Sequence, residues 1–257
     1  TNRGSIVTPL KDRIGSQILT HYPHNIEIAK KITQQEAFIS IENQSKIHIP
    51  ELAKDLLEQI GFEARKSEYV DVKSGVSTRM SITAFENLVS TAERRLLITH
   101  DTKTSIRMSD FLGIITAING KIELVYEGEQ EGAVEVAYHL ISSAIKSLFP
   151  LYFPKIEKLE KPNEEGPYDQ LLAWFFKENE LFLEDISDEK THQKSLDSIP
   201  EIQKIMNEYQ SELDLEDYYF MVEFLLWGLE AHQKLNKLRT FEGIQFKDSL
   251  GSFINRL

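Results

Sequence analysis

The chain has 257 residues, 41% hydrophobic and 27% charged, which is room for one large domain or two ordinary ones with a sizeable core. Cysteine is absent, so a disulfide-stapled scaffold, a cysteine-ligated zinc site and a thiol nucleophile are excluded. With 29 basic against 41 acidic residues the net charge is −12, which argues against nucleic-acid and membrane-surface partners, and 12 glycines and 8 prolines are too few for a turn-rich all-β fold.

The chain starts at Thr1 without Met, and no apolar leader follows. TNRGSIVTP reads as the interior of a domain, so a piece of a longer cytoplasmic protein is expected. Residues 10–18 (LKDRIGSQI) suit a brief amphipathic helix, and 18–23 (ILTHYP) an extended strand whose exit Pro23 fixes. From Asn25, a cap, the spacing of Ile28, Ile32, Phe38 and Ile39 predicts one helix to about Asn43. A second opens at Pro50 and carries Leu52, Leu56, Leu57, Ile60 and Phe62 toward Arg65.

KSGVST, with Gly75, is a loop. A third helix follows with Met80, Phe85, Leu88, Val89, Ala92 and Leu96 inside and Glu86, Glu93, Arg94 and Arg95 outside. Ser109 and Asp110 are expected to cap a fourth, through Phe111, Ile114, Ile115 and Ile118 to Asn119–Gly120. KIELVYEGEQEG is extended and then acidic, and a long helix runs from Ala133 to Phe149 before Pro150.

Residues 155–167 (KIEKLEKPNEEGP) form the best linker candidate. The charge divides near there. Residues 1–150 hold 17 basic and 19 acidic side chains, and residues 151–257 hold 12 and 22. Beyond it come an aromatic helix around Trp174, Phe175 and Phe176, another near Ile202 to Tyr209, an apolar helix from Tyr218 to Leu235, and a short terminal segment. The apolar helix is interrupted by Glu223 and too short to span a bilayer, so it is buried.

Several familiar chemistries have no motif here. There is no HExxH, and Pro23 breaks any helix aligning His21 with His24. No GxSxG elbow occurs. Glu123, Glu127, Glu129, Glu131 and Glu135 lack the spacing and central glycine of a calcium loop and read as a solvated face. Gly120–Lys121 is not a P-loop end, because the preceding glycine, Gly113, is misplaced and Ile122 follows the lysine.

Two arginines stand out. Arg13 sits in the short amphipathic stretch, where a guanidinium fork suits phosphate oxygens; from spacing alone a surface arginine beside Asp12 is the simpler reading. Arg79 begins a helix, where the dipole disfavours a cation. Either it tolerates the dipole, or it and the helix N-terminus face an anion together.

The pattern G-x-I-x-x-P-L-x-D-R from Gly4 to Arg13, followed later by GVSTR from Gly75 to Arg79, resembles the AAA+ ATPases of the magnesium-chelatase and MoxR-like clade. TPLKDRIGSQILTHYP, SGVSTRMSITAFENLVSTAERR and GKIELVYEGEQEG are similar to stretches of the bacterial magnesium-chelatase-like branch. The likeness covers most of residues 1–150 and is weaker beyond.

It implies a mainly α chain: the end of an α/β AAA+ core over 1–24, with the arginine-finger helix and last strand; a helical AAA+ lid over 25–154; and an added all-helical C-terminal domain over 155–257. It makes Arg13 the finger, acting in trans, and Arg79 the sensor-2 arginine on ATP phosphates. Compared with the family pattern, Pro9 lies one position closer to the arginine, Lys11 replaces a leucine and Ile14 a phenylalanine.

The Walker A, Walker B and sensor-1 residues have no counterpart here. The resemblance therefore implies the C-terminal half of a ring-forming, homo-oligomeric (hexameric) ATPase using ATP and Mg²⁺ and often partnered by a von Willebrand factor A domain protein. This half alone is expected to be inactive, with no ATP or metal bound. The alternative is a non-enzymatic helical adaptor docking a partner through its acidic C-terminal part.

Overall fold

Asn25 opens a helix of the computed structural model, which describes Pro9 and residues 12–16, 18–156, 166–177 and 179–249. Its side chain accepts the Ile28 N–H at 2.9 Å and caps α1 (Ile26–Glu36). The single helix expected to Asn43 is two. The Phe38 N–H leaves the helical ladder to meet the Glu86 carboxylate at 2.9 Å, and Ser40 caps a new short helix, α2 (Ile41–Lys46). The buried face of α1 also differs. Ala29 and Thr33 point inward while Ile28 and Phe38 are exposed, because the Thr33 hydroxyl donates to the Glu58 carboxylate.

Upstream, Asp12 and Arg13 form a turn; residues 10, 11 and 17 of the expected brief helix lie outside the described residues. The strand expected over 18–23 does not form. Among the described residues no neighbouring strand supplies a ladder, and the Tyr22 hydroxyl instead accepts the Val76 N–H at 3.0 Å.

β1 (Ile47–His48) leads into α3 (Glu51–Ala64), which buries Leu52, Leu56, Leu57 and Ile60 behind Pro50. α4 (Arg79–Thr99) follows a loop turned by Gly75 at φ 72° and ends on His100 at φ 58°. β2 (Thr104–Ser105) pairs parallel with β1. A 3-10 helix (Met108–Ile114) continues into α5 (Ile115–Asn119), then come α6 (Tyr126–Glu131) and α7 (Ala133–Tyr152). α7 passes through Pro150, which its last turn accommodates before Phe153.

The rest comprises α8 (Asp169–Phe176), β3 (Leu181–Glu184), α9 (Glu189–Asp197), α10 (Pro200–Tyr209), α11 (Leu215–Ala231), β4 (Leu235–Arg239) and β5 (Gly243–Asp248). The protein is mainly helical, but the expected all-helical C-terminal part is corrected by an antiparallel sheet of order β3-β5-β4. Leu181 and Leu183 alternate inward with exposed neighbours over four residues, too short a run to register as a period. A Cβ on Gly243 would lie 2.1 Å from the Leu183 carbonyl oxygen, so only glycine lets β5 approach β3 there.

One apolar cluster runs from Ile47 to Phe246. It has members on both sides of residue 155, and residues 157–165 of the expected linker lie outside the described residues. α11 closes the core against α7, with Phe149 and Phe224 rings 6.0 Å apart. Among the described residues no helix is long and apolar enough to cross a membrane. At Gly228 an added Cβ would lie 2.1 Å from the Phe149 ring. Gly228→Ala is therefore expected to overpack this contact and lower stability by about 1–3 kcal/mol, read as a fall in the urea midpoint. An unchanged midpoint would refute so close a seat of α11 on α7.

Candidate functional site

Arg79 is the first residue of α4, and its guanidinium is exposed. The loop before it is held from three sides. The Asp71 carboxylate accepts the Lys73 N–H at 2.9 Å and the Ser74 hydroxyl at 3.0 Å, bonds that keep it below its ordinary carboxylate range. Asp71 N–H donates to the Glu123 carbonyl at 2.8 Å, and Val125 N–H to the Tyr69 carbonyl at 3.0 Å. Thus KIELVYEGEQEG, read as extended and acidic, pins the loop through a single bridge, Val70 to Leu124.

Ser77 Oγ accepts the Arg79 N–H at 3.2 Å and the Ser77 carbonyl accepts the Met80 N–H at 2.9 Å. Thr78 makes no side-chain cap bond, and no acidic residue lies in the first turn. Arg13 is exposed in its turn. Neither arginine has an ion pair among the described residues. What the structure brings together is their surroundings: Tyr22, on the segment after Arg13, bonds Val76 and carries the Arg65 guanidinium 4.4 Å over its ring.

A second constellation escaped the sequence reading. Arg95, expected outside, is 4% exposed. It pairs with Asp110, and its Nη2 donates to the Ser105 carbonyl at 2.7 Å and to Thr104 Oγ1 at 3.2 Å. Asp110 does cap, but from the third position: its other oxygen accepts the N–H of Arg107, the residue that precedes the 3-10 helix, at 2.8 Å. The Arg107 guanidinium donates to Ser187 Oγ, the Ser187 carbonyl and Glu189 Oε1, each at 3.1 Å. Glu223 of α11 accepts the Met108 N–H at 3.1 Å and meets His192 Nε2 at 2.9 Å.

The signal was present in the period. Leu88, Ala92 and Arg95 are spaced four and three apart on the stripe that α4 buries, so position placed Arg95 inside where residue type placed it outside. Burial drives Glu189 up, but Arg107, Thr104 and Arg95 overcome it and hold the carboxyl below its ordinary value of 4.5. No group of three or more His, Asp or Glu side chains able to hold a metal ion occurs among the described residues.

Arg95→Met should cost about 3–5 kcal/mol, because Asp110 is then left buried without its cation, whereas Arg94→Met one position earlier should stay within about 0.5 kcal/mol; chemical denaturation measures both. Since the folded Glu189 carboxyl titrates lower than the unfolded one, its contribution is present above about pH 4.5 and is lost as pH falls through the folded value. The stability gap between the natural chain and Glu189→Gln should be open at pH 6 and close with acidification. A gap independent of pH would exclude a charged Glu189 in the network.

Against known proteins, no family model, no curated protein and no solved structure matches this chain.

Proposed function

We propose that the chain is the lid-bearing part of a ring-forming AAA+ ATPase of the magnesium-chelatase-like clade, with Arg79 meeting nucleotide phosphates in its own subunit and Arg13 reaching the neighbour's. The observation that carries this reading is Arg79 itself. A cation at the head of a 21-residue helix, with no carboxylate in the first turn and no ion-pair partner among the described residues, suits an anion bound at the helix tip. Ile18 and Leu19, a few residues after Arg13, are each 85% exposed; in this reading the remainder of the core covers them.

Of the ATP and Mg²⁺ that this activity calls for, the described residues fit phosphate alone, through Arg79. The chain has no GxxxxGK[ST], so the phosphate cradle and the metal would be held by other residues of the parent protein. ATP supplies the bond that is hydrolysed. Arg79 orients its phosphates and moves with α4, linking nucleotide state to the lid. Arg13, fixed by charge and always protonated, stabilises negative charge as it develops, a role worth about 10³–10⁵ in rate. The output would pass to a partner, by family analogy a von Willebrand factor A domain protein, through a hexameric ring.

In the full-length protein, Arg79→Ala should weaken both nucleotide binding and turnover. Arg13→Ala should remove most turnover while sparing binding, because its contact strengthens in the transition state. Mixing Arg13→Ala subunits with subunits lacking the Walker A lysine should restore part of the activity. Nucleotide affinity and turnover unaffected by either arginine would overturn the reading and favour the helical adaptor.

A further inference from the structure

We propose that the cleft between α4, the 3-10 helix and the C-terminal sheet binds a small phosphorylated metabolite. The cleft measures about 270 Å³ and brings together Arg94, Arg95 and Arg239 in a chain whose net charge is −12. Both acids at its wall are already neutralised. Asp110 is taken by Arg95 and the Arg107 N–H, and Asp185 by the Arg239 fork, with one bond at 2.7 Å. One full positive charge, on Arg94, is left over among the described residues.

Donors are left over as well. Arg95 lines the cleft while almost wholly buried, and its Nε–H is itself enclosed without an acceptor among the described residues, so it braces the wall and leaves Arg94 as the accessible cation. The Ser109 hydroxyl on the opposite wall has no described partner either. An unpaired guanidinium and a free hydroxyl lining one cleft are groups that can together satisfy several oxygens of one tetrahedral oxyanion. The walls come close enough to share a ligand because Gly113 has no side chain: a Cβ there would lie 2.2 Å from Thr91 Oγ1.

Size sets the class of ligand. A phosphate group fills a minor part of 270 Å³, and the space beside Leu112 and Ile186 suits a small organic body. Arg79 is not among the residues that line the cleft. The cleft is therefore separate from the phosphate role assigned to Arg79, and stands or falls without it.

The test is calorimetric titration of the chain with glycerol phosphate and inorganic phosphate, with glycerol and matched sodium chloride as controls. Saturable binding of the ester is expected, and Arg94→Gln and Ser109→Ala should each weaken it, the former by about tenfold or more. Lys31→Gln, exposed on α1 and outside the cleft, should bind as the natural chain does. Arg94 is exposed, so its variant folds, which an unchanged urea midpoint verifies. No saturable binding up to about 10 mM, or binding indifferent to Arg94→Gln, overturns the proposal. Loss with Arg79→Ala but not with Arg94→Gln would move the ligand to the head of α4 and overturn it equally. Binding of inorganic phosphate alone, without the ester, would refute the organic part.

Discussion

Two guanidinium groups taken out of water constrain this fold more than any other feature. Arg95 and Arg107 are 4% and 2% exposed, and neither can lose its proton, so each must find acceptors at the moment the core closes. Arg95 finds Asp110, Thr104 and the Ser105 carbonyl; Arg107 finds Ser187 and Glu189, 80 and 82 residues further along. Glu223 adds a third long link by accepting the Met108 N–H from 115 residues away. Desolvating such charges offsets much of their attraction, so their value lies in permitting few alternative arrangements. Greasy packing of α11 on α7 could slide; forks and carboxylates with fixed partners cannot.

That clamp fixes α4, which carries an exposed arginine near each end. Its N-terminus presents Arg79, while Arg94 and Arg95 come fifteen and sixteen residues later, roughly 22–24 Å along the axis at 1.5 Å per residue. One rigid helix thus carries two positively charged places too far apart for one small ligand. The first is open, held by the Asp71–Ser77 loop and by Tyr22. The second is framed by the network itself, because the pairs that neutralise Asp110 and Asp185 leave Arg94 without an acid among the described residues. The buried pairs thereby shape an exposed charge in a chain that is acidic overall.

Much of this was legible in the residues alone. Asn25 as a cap, Pro50 at the start of α3, Gly75 in its loop, the buried stripe of α4, and the extent of α7 to within a turn all follow from local rules: cap hydrogen bonds, fixed φ, and apolar side chains at helical spacing. The exposed Arg79 at the head of its helix was legible as well, since helix start and residue identity are both local. So was the burial of α11 despite Glu223.

What only the tertiary structure decided concerns groups whose partners are distant in sequence. Arg95 turned inward because Asp110, Thr104 and Ser105 were there to receive it, and no local rule announces them. α1 turned its Thr33 face inward because Glu58 offered an acceptor. Residues 18–23 formed no strand because a strand is defined by a neighbour's backbone, and their hydrogen bond went to the α4 loop. The C-terminal sheet arose from three short runs whose pairing is long-range for β3 and whose close approach depends on Gly243. Sequence determines periodicity, caps and breaks, because those act over one turn of chain; the fate of a buried charge or an unpaired strand is set by what folding brings beside it.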